Sequence, residues 1–350
     1  MRKRINFIVV VAMMFFVSST GFCKAKKVAH VKETYPVTRQ FIYTTPLLNN
    51  SLLTITVVDD STREEYVKSL IDGIFADVSR MDNVVANDIA RINSNNNKNV
   101  ELSSETYDLI SKSKNLATLT NGWFDITTSS DKGYFSPKDY RKIKLNSSKN
   151  TLTFKGKNMG LDIKHILPAF LVDRIMESLV NSGVANAKVD IDGISRNVGK
   201  DIYTPWIVSI DLPNPNSNYT HRSYAYSFSN KSVAVLTPNL IKKPLIDPKA
   251  RKEVPDNFIN VTVFSDKAMT SSAIAYALYT IGDNGAMPFI EQHPESKVIC
   301  VNNKGEFANS KGLHIQQQNY ESGDASAAPT VDMGPSDLKM RMREEETDAE

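Results

Sequence analysis

The chain of 350 residues is long enough to bury a substantial core as one large or two ordinary domains. Its composition, 41% hydrophobic and 23% charged, is ordinary for a globular protein, and its formal net charge is only +3. The basic residues are scattered and form no stripe with interleaved aromatic residues, which argues against a nucleic-acid-binding protein.

The first 23 residues have the pattern of a secretory signal peptide. Residues 1–4 are basic, residues 7–17 are apolar, and small and polar residues then lead to Cys23. The apolar run is about half the length of a membrane-spanning helix, so we expect export to the periplasm or cell envelope. A lipid anchor at Cys23, which would attach the chain to a membrane, is the alternative. Phe22 weighs against it, because it stands where lipid-modification sites have a small residue.

The elements that follow favour an α+β fold. Residues 24–38 are polar and are expected to be a flexible linker. Residues 52–58, rich in β-branched side chains, predict the first strand, and residues 61–64 have capping-box spacing before a helix of about five turns. Further helices are predicted from residue 103 or 104, over 167–182 and over 270–281, and further strands over 187–191, 206–211, 223–229, 232–236, 258–264 and 297–301. Because strands and helices come in runs, we expect one large domain, residues 39–317, with a mixed or antiparallel sheet and packed helices.

The composition changes near residue 318. Residues 321–329 contain few large apolar side chains, and residues 344–350 are mostly acidic. Such a segment buries too little apolar surface to offset the entropy lost on ordering. Residues 318–350 are therefore expected to be a disordered polar tail.

The strongest catalytic signatures are missing from this sequence. It contains no phosphate-binding loop and no GxGxxG, HExxH, CxxC or GxSxG pattern, and its five histidines are widely spread. Cys300 lies in an apolar run typical of a core strand, so we expect a buried, inert thiol.

A collinear series of short motifs remains. Residues 120–127 read TNGWFDIT, residues 162–173 read DIKHILPAFLVD, residues 245–248 read LIDP, and residues 268–278 read AMTSSAIAYAL. In order and spacing this series resembles the FAD:protein FMN transferase family, the ApbE-type enzymes, from about residue 52 to residue 301. The most specific pieces are TNGWFDIT, against a family pattern T-x-G-x-F-D-[IV]-T, and LIDP, against H-I-I-D-P-R-T-G.

The resemblance implies an ApbE-like fold and a reaction. In that reaction Mg²⁺ assists transfer of the FMN half of FAD to a threonine of a partner flavoprotein, and AMP leaves. Such a site needs hard oxygen ligands for the metal, a cation near the phosphates and apolar or aromatic surface for the flavin ring.

The resemblance also implies which residues bind the flavin. Trp123, Phe124, Asp125 and Asp162 are the candidates. For the TNGWFDIT stretch the alternative is a turn whose apolar side chains pack into the core. For Asp162 it is a helix N-terminal charge, and for Asp173, a second acid shared with the family, a surface carboxylate.

Several chemical positions depart from the family pattern. The family's metal-binding Asp and Thr fall on Ser272 and Tyr276, which share a helix face at i, i+4 spacing but carry only neutral hydroxyls. Pro168 replaces the family lysine, with Lys164 four residues away, and the family histidine before LIDP is absent. Ser272 and Tyr276 are thus metal positions by resemblance only, and FAD remains a candidate ligand while Mg²⁺ is in doubt.

Three functions follow as hypotheses. The leading one is an exported ApbE-type homologue that is catalytically degenerate and acts by binding a flavin or a partner, either a flavoprotein acceptor or an envelope protein. The second is an active FMN transferase with relocated ligands, for instance Asp192, Asp247 or Lys164. The third is a periplasmic interaction protein without a small ligand. Whether the chain is an enzyme stays open at this point.

Overall fold

The computed structural model describes residues 37–48, 50–94, 99–127, 139–157, 159–213, 221–241, 245–250 and 252–313. All of these residues belong to one compact unit. The expected signal peptide, all but the end of the expected linker, and the expected tail lie outside the described residues. Among the helices of the described ranges, none has the length and apolar character needed to cross a membrane.

The described ranges contain five α-helices and fifteen strands. The helices are α1 (Glu64–Ser94), α2 (Ser104–Leu119), α3 (Leu167–Asn181), α4 (Ala268–Ile281) and α5 (Asp283–Gln292). The strands are β1 (Thr38–Pro46), β2 (Leu52–Asp60), β3 (Val100–Glu101), β4 (Ile143–Asn146), β5 (Thr151–Phe154), β6 (Ala187–Ile191), β7 (Ile194–Val198), β8 (Ile207–Pro213), β9 (His221–Ser227), β10 (Ser232–Leu236), β11 (Ile246–Asp247), β12 (Lys252–Glu253), β13 (Phe258–Ser265), β14 (Lys297–Asn302) and β15 (Phe307–Asn309).

A central sheet of eight strands organises the molecule. Its order is β1-β2-β6-β7-β10-β13-β14-β15, and each neighbouring pair in it is antiparallel. Within the described ranges, β3, β5 and β4 form a second, small sheet, while β8–β9 and β11–β12 form hairpins. The α+β class expected from the sequence is confirmed. Of the two sheet types expected, mixed or antiparallel, the central sheet is antiparallel.

The helices cover one face of the central sheet. Alternate residues of β2, namely Leu53, Ile55 and Val57, are fully buried on that face, as the period of a strand requires. Helices α3 and α4 pack over the middle strands. Because α4 is enclosed by the sheet and by α2, α3 and α5, nearly all of its residues are buried, which explains its apolar character all around the axis.

The structure differs from the sequence-based expectations mainly near its start. The body begins at β1, fourteen residues before the expected first strand; a single residue of β1, Phe41, is buried, so the strand shows no clear alternation of apolar and polar residues. The first helix, α1, has 31 residues rather than about five turns, because its buried stripe continues beyond Val78 through Met81, Val85 and Ile92. The segment that leads into α1, Ser61–Arg63, is a 3₁₀ turn capped by the Asp60 side chain. The expected capping box at Ser61 was therefore wrong.

Candidate functional site

A cavity of about 280 Å³ opens beside α4. Its walls come from α4, from the segment that leads into α3, and from β7 and β10. The lining is apolar in its larger part and polar at a few points; it comprises Ser51, Lys164, His165, Pro168, Asp192, Ile194, Ala234, Val235, Leu236, Leu240, Ser272, Ala275 and Tyr276. An apolar cleft with few polar groups is the usual form of a small-molecule site, and this one is near the lower end of the usual volume range.

The turn between β6 and β7 places a carboxylate at this cavity. Asp192 and Gly193 both have left-handed backbone angles, φ 50° and 80°, as a tight two-residue hairpin turn requires. Ser51, in the turn after β1, donates a hydrogen bond from Oγ to Asp192 Oδ2 at 2.5 Å, which fixes the carboxylate at the wall of the cavity.

The two family metal positions lie one turn apart on α4, and both line the cavity. Ser272 Oγ donates to the backbone oxygen of His165 at 3.2 Å. The Tyr276 hydroxyl lies 3.2 Å from His165 Nδ1, and the two rings are 4.6 Å apart between centroids. Burial, together with the charges of Asp192 and Asp162, raises the pKa of Tyr276 above its ordinary value, so the phenol stays neutral.

These side chains do not fit a Mg²⁺ site. Mg²⁺ prefers carboxylate and water oxygens in octahedral geometry. Ser272 and Tyr276 contribute neutral hydroxyls, both engaged with His165, and Asp192 is the one carboxylate in the lining of the cavity. Across the part of the chain that the structure describes, no three His, Cys, Asp or Glu side chains come together as a metal site.

His165 was missed by the sequence analysis. A single histidine in an irregular segment, between Lys164 and the start of α3, carries no pattern that would single it out. Only the fold brings its ring against Tyr276, which is 111 residues later in the chain.

The TNGWFDIT stretch forms the end of α2 and a turn. Asn121 and Gly122 adopt left-handed angles, φ 51° and 80°, and the Gly122 amide donates to the Ala117 oxygen at 2.7 Å, closing a Schellman-type cap. Phe124 and Ile126 are buried in the core. The alternative of a turn whose apolar side chains pack into the core is therefore met for Phe124 and Ile126. Residues 120–127 contain no strand.

Asp125 holds this turn to the chain that follows it. Its Oδ1 accepts from the Thr127 amide at 2.9 Å and from the Thr127 hydroxyl at 2.7 Å, and its Oδ2 accepts from the Tyr140 amide at 3.4 Å. Burial raises the pKa of Asp125 to about 6, with a contribution from the charge of Asp139, although these hydrogen bonds oppose the shift. Its contacts are those of a structural carboxylate.

Trp123 links the two most specific motifs. The Lys249 ammonium lies 3.5 Å from the centroid of its ring, a close cation–π contact. Lys249 follows the LIDP tetrapeptide, in which Asp247 Oδ1 accepts from the Lys249 and Ala250 amides. The two motifs that resemble the family most are thus direct neighbours.

Asp162 lies between the turn and the cavity. Its amide donates to the Ile126 oxygen at 2.7 Å, and its Oδ1 accepts from the Lys164 amide. It contributes to the raised pKa of Tyr276, so it is electrostatically coupled to the cavity without lining it. Trp123, Phe124 and Asp125 do not line this cavity either.

Asp173 is a buried structural residue, so its interpretation as a surface carboxylate was wrong. It is 6% exposed. Its oxygens accept from the amides of Ala268 and Met269, the first residues of α4, at 3.0 Å each. Arg196 Nη1 pairs with it at 2.8 Å. The carboxylate therefore positions the helix that carries Ser272 and Tyr276.

Comparison with known proteins identifies relatives of this chain by sequence and by fold. The sequence profile of the ApbE family matches residues 50–130 and 134–300. The FAD:protein FMN transferase of Haemophilus influenzae is 22% identical, over 72% of this chain and 82% of that protein. The flavin transferase ApbE from Vibrio cholerae is similar in structure with a TM-score of 0.64 at 16% identity, over 79% of this chain and 98% of the other. For the apo flavinyl transferase ApbE from Pseudomonas stutzeri the TM-score is 0.67 at 16% identity, over 79% and 96%.

At these identities the structural likeness shows the fold alone. The profile match is the stronger finding, because it spans most of the chain and includes both TNGWFDIT and the helix with Ser272 and Tyr276. The chain is a member of the ApbE family.

Proposed function

We propose that this ApbE-family protein binds a flavin nucleotide at the cavity beside Tyr276 and does not carry out Mg²⁺-dependent FMN transfer. The observation that carries the proposal is the contact of His165 with both Ser272 and Tyr276. At the two positions where the family has metal ligands, this chain has neutral, buried hydroxyls bound to a histidine.

The rest of the cavity supports binding of a nucleotide. Ile194, Val235 and Leu240 give an apolar surface for a planar ring, and the exposed Lys164 provides a cation for phosphate oxygens. Asp192 provides an acceptor for ring N–H groups. Mg²⁺, where bound, would neutralise charge on the pyrophosphate during displacement. Without a fitting donor set, the residues present support binding more than transfer.

The relocated-ligand alternative finds less support. Of the three substitutes considered, Asp192 and Lys164 line the cavity, but Asp247 does not, and its Oδ1 accepts from two amides of its own turn. One carboxylate and one ammonium do not make a magnesium site.

Titration of the purified protein with FAD, in EDTA and then in excess Mg²⁺, tests the binding half of the proposal. Tryptophan and flavin fluorescence report the binding. We expect saturable binding with the same affinity in both conditions. Absence of any binding would instead support the third function, an interaction protein without a small ligand.

A paired substitution tests the metal half. The variant S272D/Y276T installs the carboxylate and the small hydroxyl of the family pattern and removes the phenol ring. We expect Mg²⁺ to tighten FAD binding by about tenfold or more in this variant, equivalent to about 1.4 kcal/mol. Y276F, which keeps the ring and removes only the hydroxyl, is the matched control and should not respond to Mg²⁺. Mg²⁺ sensitivity of the unsubstituted protein would refute the proposal.

We also propose that residues 1–23 direct export, and that the protein binds a flavoprotein in the cell envelope. The basic, apolar and small-residue order of this segment supports export, and the similarity to a FAD:protein FMN transferase supports a flavoprotein partner. N-terminal sequencing of the protein from fractionated cells should find a chain that starts after the signal. An intact Met1 in the cytoplasmic fraction would contradict export.

A further inference from the structure

The two edges of the central sheet are unequal. At one end, β15 has only three residues, and short edge strands resist pairing with other chains. At the other end, β1 has nine residues in an unbroken antiparallel register with β2. No strand of the described ranges pairs with the outer edge of β1.

Within the described ranges, the outer edge of β1 lacks the usual protection. Proteins shield such edges with several charges, with prolines or with bulges. β1 carries a single ionised side chain, Arg39, its Pro46 stands at the last position, and its register shows no shift. A long, regular and nearly neutral edge strand is a template for pairing with another strand.

Exposed apolar side chains are concentrated at this edge. Ten large apolar side chains of the described residues are exposed, and four of them fall within sixteen residues at or beside β1: Val37, Ile42, Leu48 and Leu52. Ile42 is 60% exposed at the middle of the strand. Val37 lies at one end of β1, Ile42 at its middle, and Leu48 and Leu52 at the hairpin end, so exposed apolar side chains follow the whole length of the edge strand.

We propose that β1 forms a two-fold dimer interface, in which it pairs antiparallel with β1 of a second copy. Among two-fold registers, the one centred on Ile42 pairs all nine residues, over about 30 Å. It sets Ile42 opposite Ile42, Phe41 opposite Tyr43 and Arg39 opposite Thr45. Aromatic and aliphatic pairs are thus matched and no like charges face each other, as a self-complementary interface requires. This inference does not depend on flavin binding.

Sedimentation velocity over a concentration series tests the proposal, with the purified exported chain, which lacks residues 1–23. We expect a dimer whose proportion rises with concentration. I42K places two like charges at the two-fold axis and should shift the chain to monomer. L119K, which changes an exposed leucine of α2, is the matched control and should leave the dimer intact. Circular dichroism checks that both variants are folded.

Crosslinking fixes the register. In this chain, which lacks Cys23, I42C should form an intermolecular disulfide on mild oxidation, because opposed residues of antiparallel strands have Cα atoms within disulfide range. L119C should not, and the buried Cys300 is inaccessible. A monomer at every concentration would overturn the proposal. Protection from hydrogen exchange, in that monomer, of the alternate β1 amides that do not bond to β2 would assign the edge to another segment of the same chain. A dimer that survives I42K and does not crosslink through I42C would equally overturn it.

Discussion

At the scale of single residues, Asp173 has the clearest structural role. Its carboxylate accepts from the first two amides of α4 and pairs with Arg196, which is itself largely buried. A negative charge is favourable at a helix N-terminus, and the guanidinium adds a charge-assisted hydrogen bond to the carboxylate. The residue therefore couples β7 to the helix that forms one wall of the cavity.

Replacement of Asp173 by alanine should destabilise the protein by about 3–5 kcal/mol, because it leaves Arg196 without its partner and two amides without an acceptor. Urea unfolding measures the change. K267A removes an exposed ion pair with Glu177 and is the control, with an expected loss below about 1 kcal/mol. A loss for D173A as small as that of the control would show that the buried pair does not secure α4.

Asp125 should make stability depend on pH. Its folded pKa of about 6 lies above its ordinary value of 3.8, so the fold favours the protonated acid. The stabilisation is fully present below about pH 4 and is lost as pH rises through about 6, by at most about 3 kcal/mol.

The measurement is the difference in unfolding free energy between the protein and its D125N variant at several pH values. The difference removes the effects of other groups. From pH 4 to pH 7 the unfolding free energy of the protein should decrease relative to that of D125N. A difference that is constant over this range would mean that the pKa of Asp125 is not raised in the fold.

At the scale of elements, the β6–β7 hairpin shows why a glycine is required. Gly193 has φ 80°, and a Cβ there would lie 3.0 Å from Leu240 Cδ1 and 3.1 Å from the Val235 oxygen. Gly183, after α3, has φ 78° but no atom within 4 Å of the same position. A side chain at either position would meet the same left-handed backbone strain, but only at Gly193 would its Cβ also approach neighbouring atoms closely.

G193A should therefore destabilise the protein more than G183A. Each substitution incurs the left-handed strain of about 1 kcal/mol, and G193A adds a clash with a backbone oxygen at the cavity wall. We expect a difference of at least about 1 kcal/mol in thermal or urea unfolding. Equal losses would indicate that β10 and the Leu240 side chain move apart without penalty.

Elements with a regular burial pattern were predictable from the sequence. Strands β6 and β10 match their expected ranges at both ends, and α3 and α4 lie within two residues of theirs. A glycine follows β6, α3 and α4 within two residues, and Pro238 follows β10, so turn residues mark these ends in the sequence. Helix α5 escaped prediction since Gly285 and Pro288 interrupt it. Strand β1 escaped because its identity comes from pairing with β2, a non-local interaction.

At the scale of the whole molecule, the fold and the chemistry separate. The two motifs that most resemble the family make contacts within the fold: TNGWFDIT caps α2 and packs the core, and its tryptophan contacts the lysine after LIDP. The positions that resemble the family's metal ligands hold the hydroxyls of Ser272 and Tyr276, both in contact with His165. The sequence indicates that these two residues depart from the family pattern, whereas their contact with His165 required the fold.

The most direct test of this account is covalent flavin transfer. The protein is incubated with FAD, Mg²⁺ and a flavoprotein acceptor that carries a family-type threonine site, and the acceptor is examined by mass spectrometry after acid denaturation. An active ApbE-family transferase serves as the positive control. The account predicts an acceptor of unchanged mass, although FAD binds to the protein. An acceptor that gains the mass of FMN less one water, with release of AMP, would contradict it.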